Sequence, residues 1–154
     1  MKKLIFCCLV VLMGACKDKE DDNVEPDIDY APDFVGNYST KTIDGPVTSD
    51  HSWKITSLGK NKLGILYVKD VNIAIAGSDV DLTQEYNLVD VKVDGKDSFT
   101  INESVDVKQS NEKPLNQLVT GTATKVAGTG GVTQLNITLK LGSTTNEYLE
   151  FKKE

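Results

Sequence analysis

The sequence contains no arginine, a single histidine, and no cysteine after Cys16. Arginine is the side chain best suited to forked recognition of phosphate and carboxylate groups, so its absence argues against a nucleic-acid or polyphosphate partner. No basic patch with interleaved aromatic residues is present either. One imidazole without a thiol or a spaced second histidine makes a poor metal site. We therefore expect no nucleic-acid partner, no metal and no cofactor.

The sequence also lacks a constellation that could support nucleophilic catalysis. The only histidine, His51, lies beside Ser52 and near Ser49. Neighbouring residues of a strand point to opposite faces, so His51 and Ser52 would not meet. We interpret His51 as a surface or strand-end residue. Without a thiol nucleophile or a second histidine, the chain is predicted not to be an enzyme.

Only one apolar run is long enough to suggest a targeting segment. It extends from Leu4 to Cys16, thirteen residues, after Lys2 and Lys3. A helix needs roughly 20 residues to cross a hydrocarbon core of about 30 Å, so this run is too short. A positive start, a short apolar middle and a small-residue end are the plan of a secretory signal. Residues 1–15 are therefore predicted to be a signal peptide.

The end of that run is Met13-Gly14-Ala15-Cys16, which resembles the lipobox of bacterial lipoprotein signals. It departs from the family at Met13, where leucine is usual. The resemblance implies cleavage before Cys16 and acylation of the Cys16 thiol, with acylation of its amino group as well. Two or more acyl chains give stable membrane anchoring, whereas one gives only marginal binding. We expect the chain to be attached to a membrane at Cys16.

An acid-rich block follows the cysteine directly. Its residues are Lys17, Asp18, Lys19, Glu20, Asp21 and Asp22. The block resembles the surface-export signal of Bacteroidota lipoproteins, and the resemblance implies a lipid-anchored protein of the outer membrane that faces the cell surface. The alternative is an anchor that faces the periplasm, since acidic tethers also simply stay solvated. Residues 16–32 are predicted to be this lipidated, disordered tether.

The remaining residues, 33–154, have the size of one ordinary domain. They carry sixteen acidic residues against thirteen lysines, a net charge of −3, whereas residues 17–32 carry seven against two, a net charge of −5. The acidity therefore belongs mostly to the tether. With no cysteine in 33–154, the hydrophobic core has to stabilise the domain without a disulfide.

Large apolar residues in this domain alternate with a period of two, which predicts antiparallel strands with one buried face. The clearest runs are 63–67, 71–75, 89–93, 135–141 and 149–151. Asp94-Gly95 lies between two such runs and is a strong hairpin signal. We predict an all-β domain in which a single antiparallel meander closes into a barrel, with a two-sheet β-sandwich as the alternative.

The start of the domain, Phe34-x-Gly36-x-Tyr38, resembles the opening of lipocalin-like (calycin-like) barrels, where tyrosine can replace the usual tryptophan. Lipocalins pack an arginine of the last strand over that aromatic ring, and this chain has none. We expect Lys152 or Lys153 to take the place of that cation. The resemblance implies a monomeric barrel that binds a small, largely apolar ligand.

Two residues are candidates for a ligand site. Trp53 could contribute to an aromatic surface for sugars, although an aromatic residue in a β domain belongs more often to the core. Glu103 lies two residues after Ile101, so it either points into the barrel as a ligand-site residue or is turned into water by a bulge at 102–104, which we favour. Two functions stay open: binding of a small apolar ligand, or binding of a surface glycan or protein through loops or an edge strand by a barrel with a filled core.

Overall fold

The computed structural model describes residues 28–75 and 77–154. The strands are β1 (Gly36–Asp44), β2 (Val47–Gly59), β3 (Lys62–Ile75), β4 (Ser78–Gly95), β5 (Ser98–Gln109), β6 (Leu115–Ala127), β7 (Thr133–Leu141) and β8 (Glu147–Lys153). Each strand pairs antiparallel with the next, and β1 pairs with β8 through Tyr38↔Lys153 and Ser39↔Lys152. The all-β meander barrel predicted from the sequence is confirmed, and the sandwich alternative is not adopted.

The interior of the barrel is filled by the apolar side chains that alternate along each strand. Trp53 of β2 stacks on Phe151 of β8 with ring centroids 4.3 Å apart, and Phe99 of β5 lies 6.3 Å from the same indole. Ile, Leu and Val side chains of strands β2 to β8 fill the rest of the interior. For example, Ile65, Ile101 and Ile137 are at most 1 % exposed. Burial of this apolar surface is the main force that holds the domain together, because no disulfide is available.

One end of the barrel, the closed end, is covered by a 3₁₀ turn at Ala31–Phe34. The Phe34 ring packs edge-on against Phe99 with centroids 5.3 Å apart, and the Lys125 ammonium lies 4.8 Å from the Phe34 ring centre. The Tyr38 hydroxyl donates a hydrogen bond of 3.0 Å to the Phe34 carbonyl. The turn therefore seals this end with an aromatic side chain and fixes where β1 begins.

The Phe34-x-Gly36-x-Tyr38 segment is held by a lysine of the last strand. The Lys153 ammonium lies 5.6 Å from the centre of the Tyr38 ring and donates a 2.8 Å hydrogen bond to the Val35 carbonyl. The expected replacement of arginine by lysine is thus confirmed for Lys153. Gly36 has a φ of +151°, and a Cβ there would lie 2.6 Å from Lys153 Cε, so glycine is what lets the lysine pass.

The first described residues are tied to the closed end as well. The Asp29 carboxylate accepts a hydrogen bond of 2.9 Å from the Asn61 N–H, and the Tyr30 N–H donates one of 2.8 Å to the Asn61 side chain. Asn61 lies in the turn between β2 and β3 and has a positive φ of 51°. Residues 28–32, which the sequence assigned to the tether, therefore lie against the closed end of the barrel.

Strand β4 contains one extra residue relative to β3. Ile65 is opposite Leu88 and Leu63 is opposite Val91, so Val89 and Asp90 form a bulge. As a result Val91 and Val93 are buried but Val89 is 46 % exposed, although simple alternation had placed all three on one face. The hairpin predicted at Asp94-Gly95 is present, with its turn displaced by two residues to 96–97.

Candidate binding site at the open end of the barrel

At the end opposite the 3₁₀ turn, the inner surface changes from apolar to polar. Tyr67 of β3 and Tyr86 of β4 lie side by side with their rings stacked at 5.1 Å, and His51 of β2 stacks on the other side of Tyr67 at 6.0 Å. Gln84 and Gln117 lie beside the Tyr86 hydroxyl. We call these five residues the polar floor, because they lie above the apolar layer of Trp53 and Phe151.

The polar atoms of the floor are joined by hydrogen bonds. His51 Nδ1 is 2.8 Å from the Tyr67 hydroxyl, and His51 Nε2 is 3.0 Å from the Thr42 hydroxyl. The Tyr86 hydroxyl lies 3.0 Å from Gln117 Oε1 and 3.3 Å from Gln84 Oε1, and it donates to these acceptors. Because hydroxyl and imidazole groups can exchange donor and acceptor roles, this network can adjust to a ligand group without unpaired atoms.

The side chains of the floor are uncharged at neutral pH, and burial moves the pKa values of the histidine and the tyrosines further from neutrality. It lowers the pKa of His51 to about 4, helped by the nearby Lys69 ammonium and opposed by the Asp50 carboxylate. It raises the pKa of Tyr86 to about 12. The pKa of Tyr67 is also raised well above 10, mainly by burial and further by Tyr86 and Glu147. The floor is therefore polar but neutral, and the charged groups that act on it include Lys69, which lies 3.9 Å from the Glu147 carboxylate, and Asp50.

The interpretation of His51 as a surface residue is wrong. Its side chain is only 1 % exposed, because β2 continues in regular alternation through His51, Trp53 and Ile55, and all three point into the barrel. The two-residue period that continues back from Ile55 and Trp53 was the sequence signal that could have placed His51 inward. The tyrosine hydroxyl that satisfies its ring comes from another strand, sixteen residues away.

The buried, neutral His51 predicts a loss of stability in acid. Below pH 6.5 the unfolded chain takes up a proton at His51, whereas the folded chain resists it until about pH 4. The free energy of unfolding should therefore fall by about 3 kcal/mol over that window through this residue alone. Urea unfolding at pH 7 and at pH 4.5 measures it.

The matched variant for this measurement is His51→Gln, which keeps hydrogen-bonding groups but cannot take up a proton. Carboxylates titrate in both proteins. Their contribution therefore cancels when the change in unfolding free energy between pH 7 and pH 4.5 is compared for the parent and the variant. We expect the variant to lose about 2 to 3 kcal/mol less than the parent between pH 7 and pH 4.5. Equal losses in the two proteins would show that His51 is not the titrating group.

Beyond the floor, the barrel wall continues on one side only. The β4–β5 ladder starts at Gln84↔Gln109, so residues 78–83 of β4 extend past it together with the end of β3. We call the segments 47–49, 71–75 and 78–83 the ribbon. Its inner face continues the inward positions of the barrel and is apolar: Val47, Ile73 and Val80 lie directly opposite one another, as do Val71 and Leu82.

The inner face of the ribbon is not covered by other described residues. Val80 is 47 % exposed, and Val47, Val71, Ile73 and Leu82 are each half-buried. A contiguous exposed apolar surface beside polar groups is typical of a binding site. Sequence alternation at 71–75 had identified the strand but had predicted a core face there. Strand β5 does not pair with residues 78–83 of β4, so the barrel wall is missing there and the apolar inner face of the ribbon stays exposed.

Glu103 neither points into the barrel as a ligand-site residue nor is turned into water by a bulge at 102–104. Strand β5 runs without a bulge against β6 from Ser98 to Val107, and the Glu103 side chain turns sideways to β4. Its carboxylate accepts hydrogen bonds of 2.9 Å from the N–H groups of both Val89 and Asp90. The expected bulge at 102–104 is therefore wrong: the bulge lies in β4, and Glu103 satisfies the backbone groups that it frees.

Trp53 lies one layer below the floor, in the core, and is 1 % exposed. Its indole N–H is buried without a hydrogen bond to the described residues. Phe34, Gly36 and Tyr38 lie together at the closed end. The remaining predicted site residues lie outside the described part of the chain: Cys16, Lys17, Asp18, Lys19, Glu20, Asp21 and Asp22.

No family model, curated protein or solved structure matches this chain. Among residues 28–75 and 77–154, no helix has the length and apolar character needed to cross a membrane. The same residues contain no group of three or more histidine, cysteine, aspartate or glutamate side chains arranged to hold a metal ion. The fold and the open end of the barrel are therefore the basis for a functional proposal.

Proposed function

We propose that this protein is a lipid-anchored binding protein of the outer membrane, exposed at the cell surface, with a calycin-like barrel that binds a small, largely apolar ligand and catalyses no reaction. The anchor and the location rest on the Met13–Cys16 segment and the acidic residues after it. The observation that carries ligand binding is the uncovered apolar inner face of the ribbon directly above the polar floor.

The filled interior favours a ligand at the open end over one deep in the barrel. Trp53 and Phe151 stack across the lumen, and Tyr67 and Tyr86 stack above them. An eight-stranded barrel is near the size at which its side chains either fill the lumen or leave room for one ligand. Here aromatic rings fill it, so the ligand would lie on the floor and against the ribbon.

The two surfaces define the chemistry of that ligand. Val47, Ile73 and Val80 would contact an apolar body of a few ring or chain carbons, because burying such surface is favourable on both sides. The half-buried Gln84 and Gln117 amides of the floor would face a neutral polar group, such as a hydroxyl, ester or amide, because the tyrosine and histidine side chains of the floor are at most 1 % exposed. A fully ionised head group would find no charge partner on the floor.

The anchoring geometry is compatible with this role. The described chain starts at the closed end, where Asp29 and Tyr30 bond to Asn61. A tether that arrives there would leave the open end directed away from the membrane to which Cys16 is attached. The ribbon would then be accessible to molecules outside the cell.

One substitution on the inner face of the ribbon and one on the outer face of β1 test the proposal. The chain from Lys17 to Glu154 is titrated with the neutral apolar dye Nile red, whose fluorescence rises on leaving water. Val80→Lys should weaken binding about tenfold, since losing the burial of a valine costs about 1.5 kcal/mol and 1.4 kcal/mol is a factor of ten.

The matched control is Ile43→Lys. Ile43 belongs to β1, points to the outer face and is 73 % exposed, so its replacement should leave the dye affinity unchanged. Equal effects of the two variants, or no dye binding by the parent chain, would contradict an apolar site on the ribbon. The filled interior would then favour the second function, in which a glycan or protein is bound on the outer surface.

A further inference from the structure

The outer face of β5 to β8 differs in chemistry from the rest of the barrel wall. Its central positions carry neutral hydroxyl and amide side chains, and we call them the neutral face: Ser98, Thr100, Asn102, Thr120, Thr122, Thr124, Asn136 and Thr138. Charged side chains border this face: Lys140 lies opposite Thr120, Glu150 lies opposite Asn136, and Asp94 of β4 accepts a 2.6 Å hydrogen bond from the Thr100 hydroxyl. The outer face of β1 to β4 is instead rich in charges, including Lys41 paired with Asp50 at 3.1 Å and Lys62 paired with Asp90 at 3.0 Å.

The register aligns these side chains in rows that cross the strands. Thr100, Thr122 and Thr138 lie opposite one another on β5, β6 and β7, and Ser98, Thr124 and Asn136 form the next row. Neighbouring strands are roughly 4.8 Å apart, so each row offers a hydroxyl or amide at that interval. The interval is close to the rise per residue of an extended sugar chain.

An aromatic ring ends the central row. Tyr148 of β8 lies directly opposite Thr138 and is 57 % exposed. Its hydroxyl donates a 3.3 Å hydrogen bond to the Glu150 carboxylate. A depression of about 490 Å³ lies along the central row, lined by Thr100, Thr122 and Thr138 and, from the row on its other side, by Asn102, Thr120 and Lys140. A shallow polar depression with an adjacent aromatic ring is a surface that a flat, hydroxylated molecule can cover.

We propose that the neutral face binds a neutral polysaccharide. Sugar hydroxyls would pair with the threonine and asparagine groups, and the C–H face of one pyranose ring would pack on Tyr148, whose ring is apolar and whose hydroxyl is wet. The high β-propensity of threonine accounts for its presence on strands. The same propensity applies to tyrosine, so the argument for a binding site rests on the alignment of the exposed Tyr148 with the central row of threonines.

This site is distinct from the open end of the barrel. Tyr148 points outward from β8, whereas Leu149 next to it points into the lumen and is buried. No residue of the floor or the ribbon belongs to the neutral face. The Val80→Lys variant should therefore bind polysaccharide like the parent chain, and the two proposals fail or succeed separately.

Native affinity electrophoresis tests the proposal. The full-length chain, purified in detergent, is run through gels that contain hydroxyethylcellulose, laminarin or soluble starch, with polygalacturonate as the charged comparison. We expect at least one neutral polymer to retard the chain and polygalacturonate to retard it less. Tyr148→Ala should raise the dissociation constant about tenfold, and Tyr148→Phe should bind like the parent chain.

Two further variants separate binding from folding. Thr122→Lys places a charge in the central row and should also weaken retardation about tenfold, whereas Lys41→Ala on the opposite wall should not change it. Thermal unfolding midpoints should be the same for all the variants, because each changed side chain lies on the outer surface. Retardation by none of the neutral polymers, or equal retardation of Tyr148→Ala, Thr122→Lys and the parent, would overturn the proposal.

Discussion

We expect the Cys16→Ala chain to leave the membrane fraction, with at least about tenfold less protein in the membrane pellet than for the parent. The sequence feature that predicts membrane attachment is the lipobox-like segment ending at Cys16, and stable anchoring would depend on two or more acyl chains on that residue. The apolar residues before that segment, 4–13, are too few to cross the bilayer as a helix and belong to the predicted signal peptide. Ultracentrifugation of a cell lysate followed by immunodetection measures the distribution.

Two other cysteines of the same run provide the matched controls. Cys7 and Cys8 lie within the apolar part of the predicted signal, so Cys7→Ala and Cys8→Ala should stay in the membrane pellet. A wash at high salt removes chains held only by charge, since such attraction is screened. A Cys16→Ala chain that still pellets after this wash would refute lipid anchoring at Cys16, whatever the ligand of the barrel.

A second large effect is expected from Glu103→Ala, which should lower the free energy of unfolding by about 3 kcal/mol. The β4–β5 ladder breaks between Glu85↔Lys108 and Lys92↔Thr100, and the Glu103 carboxylate accepts the N–H groups of Val89 and Asp90 in that gap. Hydrogen bonds to a charged group contribute about 1.5–3 kcal/mol, and backbone donors left without an acceptor add a further cost. Urea denaturation measures the change.

The control for this prediction is Glu85→Ala on the neighbouring strand. Glu85 pairs with Lys108 at 2.8 Å, and that lysine side chain is 80 % exposed, so the pair should contribute less than about 1 kcal/mol. Glu103→Gln provides an intermediate case, because one oxygen remains as an acceptor without the charge. A Glu103→Ala loss no larger than that of Glu85→Ala would show that solvent satisfies the bulge equally well.

Much of the fold could be predicted because it depends on local patterns. Alternation at 135–141 places four leucine or isoleucine side chains inward, and the structure buries all of them. The hairpin at Asp94-Gly95 and the Lys153 contact with Tyr38 were also expected and are confirmed. Each of these features requires only a two-residue period, a turn dipeptide or a motif at a recognisable place in the chain.

The candidate site was much less predictable. The order of the strands around the barrel was expected from the sequence. The sequence did not show that β3 and β4 extend beyond the end of β5, and the apolar face of the ribbon is exposed because of that extension. His51 and Glu103 were both placed wrongly. The partners that hold them are Tyr67, sixteen residues away, and Val89, fourteen residues away, and those distances become short only after the strands pair.

The sequence by itself determined that this chain is an all-β domain of alternating strands with an arginine-free surface, and it predicts a lipid anchor at Cys16. Only the tertiary structure decided that aromatic rings fill the lumen, that His51 is buried among tyrosines, and that a neutral row of threonines ends at Tyr148. The reason is physical: the direction of a side chain follows from the local backbone, whereas its neighbours depend on strand register. A single bulge, at Val89 and Asp90, shifts that register by one residue and changes which side chains meet.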